Sequence, residues 1–281
     1  MTSADLIVPS ARLPATDALS PADQAALARA FQALERTSFA VTVSNLLGKQ
    51  VEMAGRLVPE RISGIVSKAA TAALRQAMRI AIRSLVKRPI RHGQMFHRAL
   101  AAASGIAGGA FGLAALPVEL PISTTIMLRA IADVARSEGE NLDDPEALLA
   151  CLQVFALSGR SPSPDVLEGG YFVLRGFLAK SISEAARYMA HKSVIDETAP
   201  ILIKLTSQIA ARFGVVVSQK LAAQAVPFLG AAGGAAVNVA FTEHFQSLAK
   251  GHFTVRRLER LYGTDVVRAE YDRLRRSVPA S

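Results

Sequence analysis

Hydrophobic positions recur at three- and four-residue spacing through most of this chain, a period that predicts helices with one buried face rather than strands. The first helix starts at Ser20-Pro21-Ala22-Asp23, which supplies a capping hydroxyl, a proline at the first helical position and an acid in the first turn. It carries Leu27, Phe31 and Leu34 along one side. A second helical stretch covers residues 39–57 and ends before Pro59. The third, residues 59–88, is stopped by Pro89 and is the most sharply two-sided. Its Arg61, Lys68, Arg75, Arg79 and Arg83 share a sector about 80° wide, opposite Val66, Ala70, Ala73, Leu74, Ala77, Ala81 and Leu85. Further helical patterns begin near Ile122 and give out around Gly139, restart at Asp143-Asp144-Pro145-Glu146, and cover residues 167–192 and 195–213, where Gly214 punctuates. Residues 1–19 have no period and read as a flexible tail. The remainder, residues 20–281, reads as one helical domain with a candidate internal boundary in the Gly-Arg-Ser-Pro-Ser-Pro loop at 159–164.

Two uncharged, small-residue runs interrupt this pattern, at residues 99–118 and 221–242. The first spaces Gly105 and Gly109, and Gly108 and Gly112, four apart; the second does the same with Gly230 and Gly234, with Gly233 beside them. Such spacing lines one helix face with glycine, so another helix can approach closely. Both runs are long enough to cross a bilayer, so two architectures stay open: close packing inside a bundle, or a membrane-inserted hairpin. Asn238 is polar within the second run and needs its amide satisfied, either by an interhelical hydrogen bond or by a ligand. Glu119, between Pro117 and Pro121, is the only charge over residues 99–128 and must be paired or functional. Arg129 and the free amides near residues 122–124 are its nearest candidate partners in sequence.

Composition supports an all-α, multi-helix bundle with two glycine-rich close-packed segments: 51% hydrophobic but only 6% aromatic residues, no Trp and many Ala. Cys151 stands alone, so no internal disulfide forms, and its apolar setting predicts a buried, inert thiol. The net charge of +9 is unevenly placed, with ten Lys/Arg against two acids over residues 51–100 and two against seven over 101–150. The cationic ridge of the third helix reads either as an anionic-lipid contact or as an ordinary solvated face. Without interleaved aromatic residues it argues against nucleic acid. The N-terminus lacks a secretory signal, so the expected setting is cytoplasmic, on the inner face of the membrane.

Motifs for chemistry are sparse. His-Glu-x-x-His and paired Cys motifs are both missing, which predicts no metal site and no cofactor. Glu119, His244 and His252 are the candidate catalytic residues; the two histidines, eight apart, lie about 80° and two turns from each other on a helix. Ser158 and Ser161 have no His partner visible in sequence, and no Gly-x-Ser-x-Gly elbow exists. Glu138 and Glu140 flank Gly139 and read as a solvated turn. Arg129 and Asp133 stand at i,i+4, and Arg256 is the only charged helical neighbour available to Glu259.

Two stretches, residues 108–155 and 219–263, together resemble the EcsC family. The family's pattern falls on Glu119, Pro121, Thr124, Arg129, Ile131, Ala135, Gly139, Gly233, Gly234, Asn238, Phe241, His252, Phe253, Arg257, Glu259, Tyr262 and Gly263. The resemblance implies a helical fold and a bacterial cytoplasmic or membrane-face setting, associated by gene neighbourhood with an ABC transporter. It implies no established reaction. The partners it leaves in view are an anionic membrane surface or a transporter component. The alternatives are an integral hairpin protein and a hydrolase built on Glu119, His244 and His252.

Overall fold

A computed structural model describes residues 18–36, 38–39, 42, 60–85, 116–158, 170–192, 195–224 and 230–277. Among these residues there are eight α-helices and no strands, so the periodicity correctly indicated an all-α fold. Helix α1 (Pro21–Phe31) continues into a π-helical turn at Gln32–Arg36, and α2 (Glu60–Ile80) into another at Ala81–Leu85. They are followed by α3 (Leu116–Ser137), α4 (Pro145–Leu157), α5 (Gly170–Ala190), α6 (Pro200–Gln224), α7 (Gly230–Tyr262) and α8 (Thr264–Arg276).

The helix ends obey local chemistry. Ser20 caps α1 by accepting from the Asp23 amide at 3.2 Å, with Pro21 at the first helical position. Asp144 caps α4 in the same way, accepting from the Glu146 amide at 2.9 Å ahead of Pro145. At the end of α3, Gly139 takes φ +80, its amide bonds to the Arg136 carbonyl, and the Glu140 amide reaches back to Ala135 at 3.0 Å. This is a Schellman closure, and its left-handed residue is most cheaply a glycine.

In two places a breaker residue does not break its helix. Helix α3 begins at Leu116 rather than near Ile122 and passes through Pro121, whose missing bond and ring clash cost about 3 kcal/mol, an amount that burial of the flanking Glu119, Leu120, Ser123 and Thr124 can offset. Helix α6 passes straight through Gly214, whose Cβ position faces Ala70 Cβ on α2 at 4.0 Å. There the small residue serves helix packing, and a glycine's propensity cost of about 1 kcal/mol is too small to end a helix that tertiary contacts hold.

Helix α7 is the hub. Its 33 residues, about 50 Å of rise, pack against α1, α3, α4, α6 and α8. The larger core joins α2 through α7 around an aromatic cluster in which Phe155 lies 5.1 Å from Phe213 and 5.2 Å from Phe245, with Phe241 5.2 Å from Phe245. A smaller core joins Leu19, Leu27 and Phe31 to Tyr171, Val255, Leu258, Val267 and Tyr271. Cys151 is fully buried, and burial pushes its thiol up to about 12. Helix α6 is the one described helix long and apolar enough to cross a membrane; half of that window is buried within the bundle.

Gly105, Gly108, Gly109 and Gly112 lie outside the described residues, as does the candidate boundary at 159–164; Gly230, Gly233 and Gly234 fall in the opening turns of α7. Helices on both sides of that boundary contribute to the larger core.

Candidate functional site

The two-sidedness of α2 follows directly from its sequence. Val66, Ala70, Ala73, Leu74, Ala77 and Ala81 are buried, while Lys68, Arg75, Arg79 and Arg83 are exposed on the other side; Arg61 falls in the first turn, and its side chain is outside the described set. Lys68 and Arg75 have no carboxylate partner among the described residues. Arg79 and Arg83 share one, Glu197 of the α5–α6 loop, at 2.6 and 3.3 Å. Exposed Ile65 and Ile203 add apolar area on α2 and α6.

Glu119 is buried and paired, as an isolated interior carboxylate must be, but Arg129 is not the partner. The Lys220 ammonium of α6 donates to it at 2.6 Å, the Asn238 amide of α7 donates at 3.3 Å, and the Phe241 ring lies 4.9 Å from the same ammonium. Burial pulls the fully enclosed Lys220 below its ordinary range, and Glu119 opposes that pull only in part. The cluster clasps three helices, and the interhelical hydrogen bond predicted for Asn238 is one of its members.

Glu138 and Glu140 are not a solvated pair. Their side chains are only 7% and 5% exposed, and the Schellman turn aims both at the basic end of α7. Glu138 receives Lys250 and, at 2.9 Å, Arg257; Glu140 receives Arg256 through two bonds and also Arg260. Arg257 reaches on to Asp23 of α1 at 3.2 Å, and Tyr262 donates to the same carboxylate at 2.7 Å. Burial alone would raise both glutamates, but their cationic partners outweigh it and hold them below the ordinary range. Glu259 pairs with Arg175 of α5 at 2.7 Å rather than with Arg256. A cleft of about 420 Å³ opens here, lined by Arg175, Arg256, Arg260, Glu140, Glu259 and Thr264. Each of its guanidinium groups already holds a carboxylate, so the cleft presents paired charge.

The three candidate catalytic residues occupy separate environments. Glu119 belongs to the Lys220 clasp. His252 is fully buried, its Nδ1 2.8 Å from the Tyr171 hydroxyl; burial, helped by Arg256 and Arg175, keeps it far below the usual histidine range and therefore neutral. His244 hydrogen-bonds Ser158, the C-cap of α4. That Ser–His pair is invisible in sequence because its members are separated by most of the chain's second half. With Nε2 accepting from the serine, Nδ1 carries the proton and has no partner among the described residues. Among the described residues it has no carboxylate to orient the ring and stabilise an imidazolium, and burial lowers its pKa to about 4. As a base it is weak; as a polar tie between α4 and α7 it is well placed. Among the described residues no group of three or more His, Cys, Asp or Glu could hold a metal ion.

Several residues that carried the family resemblance therefore meet in one place: Gly139 shapes the turn, Arg257 bridges α3 to α1, Glu259 holds α5, and Tyr262 closes on Asp23. The sequence model of the EcsC protein family matches residues 18–258, most of the chain. The chain belongs to the EcsC protein family. No curated protein and no solved structure matches it. Within this EcsC-family chain, the match begins one residue before the buried Leu19 and ends on the buried Leu258, both in the smaller core.

Proposed function

We propose that this EcsC-family protein is a non-enzymatic helical protein that docks peripherally on the cytoplasmic face of the membrane, as an accessory to transport or secretion. The observation that supports it is the outward side of α2, where Lys68, Arg75, Arg79 and Arg83 lie exposed on one face. A cation near an anionic leaflet contributes about 1 kcal/mol, so these four, less the opposing charge of Glu197 that Arg79 and Arg83 share, supply roughly 3 kcal/mol, enough for reversible but not permanent attachment. Ile65 and Ile203 add exposed apolar area that can reach the headgroup boundary. An enzymatic role has less support: the charged groups of the Arg256 cleft neutralise one another, and the Ser158–His244 pair lacks an orienting acid among the described residues.

Co-sedimentation with vesicles tests the reading. The protein is expected to pellet with phosphatidylglycerol-containing vesicles, to stay in solution with pure phosphatidylcholine, and to be released by high salt because exposed charges are screened within about 10 Å at 0.1 M. Replacing Lys68, Arg75 and Arg79 together by Gln is expected to abolish pelleting. Equal recovery on neutral and anionic vesicles, unchanged in that triple variant, would falsify the electrostatic docking.

A further inference from the structure

The ridge is not uniformly available. Among the described residues its Lys68 and Arg75 end meets no carboxylate, whereas its Arg79 and Arg83 end is closed by Glu197, reached from a different part of the chain. The loop that presents Glu197 is held independently of the ridge. Asp196 accepts from the Thr198 amide and hydroxyl at 2.8 and 2.7 Å, and the Tyr188 hydroxyl accepts from the Asp196 amide at 3.2 Å. Glu197 is thereby set in place as an anion over two arginines that remain 47% and 72% exposed. Glu197 itself, with Arg75, Met78, Arg79, Thr198, Ile203 and Thr206, lines a groove of about 160 Å³ in which its carboxylate faces two arginines beside apolar Met78 and Ile203.

We propose that Glu197 is a built-in counter-anion that occupies an anion position on the ridge and yields it to the lipid phosphates of an anionic membrane surface. The proposal rests on the membrane-docking reading and adds a regulatory element to it. In solution, Lys68 and Arg75, which pair with no carboxylate among the described residues, make first contact. At the surface, many phosphates compete with one carboxylate; the ion pair is solvent-exposed, so water and neighbouring charge weaken it. Arg79 and Arg83 then join the contact, and the groove beside Ile203 receives the headgroup. The occupant is a lipid surface because the cations lie in one row along a helix with exposed apolar side chains alongside, which suits a plane of phosphates better than a single small anion.

The experiment uses the full chain and vesicles of phosphatidylcholine with and without phosphatidylglycerol. Glu197→Gln is expected to raise the partition coefficient onto anionic vesicles about fivefold, the effect of roughly one unit of charge near such a surface. Glu184→Gln, which removes a half-buried acid of α5 that faces Lys180 at 4.0 Å, is the control and is expected to give a smaller gain. In an Arg79→Gln, Arg83→Gln background the gain from Glu197→Gln is expected to shrink to that of the Glu184→Gln control. Equal gains from Glu197→Gln and Glu184→Gln, or a gain that survives undiminished after loss of both arginines, would overturn the counter-anion role. If the unaltered protein binds and Glu197→Gln binds no tighter, docking stands and this inference falls; if neither binds, both fall. Binding by Glu197→Gln alone supports the inference in its strongest form. Inorganic phosphate, compared with chloride at equal ionic strength, is expected to leave vesicle binding unchanged; abolition by phosphate would identify a free-anion site and overturn the lipid assignment. Should Glu197→Gln fold poorly in a thermal melt, Glu197→Asp serves instead, since its shorter carboxylate cannot bridge both arginines.

Discussion

At the scale of single residues, glycine has opposite meanings at different positions. A Cβ at Gly251 of α7 would lie 2.9 Å from Leu34 Cγ and 3.1 Å from the Ala30 carbonyl, so the absence of a side chain is what lets α7 approach α1. At Gly64 of α2 a Cβ would meet nothing within 4 Å. Gly251→Ala is therefore expected to cost about 1–3 kcal/mol through overpacking, whereas Gly64→Ala is expected to add about 0.5–1 kcal/mol by removing unfolded-state freedom. Urea denaturation measures both, and stabilisation by Gly251→Ala would contradict the close approach. Glycine-mediated packing was expected from the runs containing Gly105 and Gly230; among the described residues it is demonstrated at Gly251, which stands alone in a polar stretch and gives no repeat to notice.

At the scale of elements, the turn between α3 and α4 acts as a latch on α7, and α1 joins it through Asp23 and Arg257. The Tyr262 hydrogen bond, with Ser20 and Arg257, outweighs burial and holds Asp23 below its ordinary 3.8, while Glu138 and Glu140 lie below 4.5. Folded values below unfolded ones mean that this stabilisation is present above the ordinary carboxylate range and is lost as pH falls through the folded values. His244 has the same sign in a higher window: its contribution is complete above 6.5 and is lost as pH falls toward about 4. The melting temperature is thus expected to be flat above about pH 7, to decline gently from there and to fall steeply below about pH 4.5. In a Glu138→Gln, Glu140→Gln variant the steep lower stage is expected to shrink while the upper decline persists. A variant profile that keeps the full steep stage would show that the latch is not the acid-sensitive element.

At the scale of the whole molecule, the bundle has two cores served by one long helix. Helix α8 lies beyond residues 18–258 that match the family, yet its Val267 and Tyr271 are fully buried, and the Tyr271 ring lies 5.1 Å from Phe31 and 5.0 Å from Phe172. Its hydroxyl also donates to Glu35 at 3.0 Å. Deleting residues 264–281 uncovers the smaller core and is expected to cost about 3–6 kcal/mol, from two buried side chains at about 1.5–3 kcal/mol each. Calorimetry is expected to show a lowered transition, with increased binding of a hydrophobic dye. An unchanged transition would mean that α8 is an appendage rather than part of the fold.

What the chain's pattern determined by itself is local. Apolar spacing set the all-α class and the two faces of α2, the Ser20-Pro21 and Asp144-Pro145 caps set two helix starts, and Gly139 set the end of α3, because each depends on residues within one or two turns. Sequence also required that Glu119 be satisfied, since an interior carboxylate cannot stand alone. Only the tertiary structure decided which groups satisfy which. Glu119 with Lys220, Glu140 with Arg256, Glu259 with Arg175, Ser158 with His244 and Glu197 with Arg79 are all pairs between elements. A charge reads as solvated in sequence when its partner is a hundred residues away, because the energy that pairs them depends on distance and burial in space, and neither is a local property of the chain.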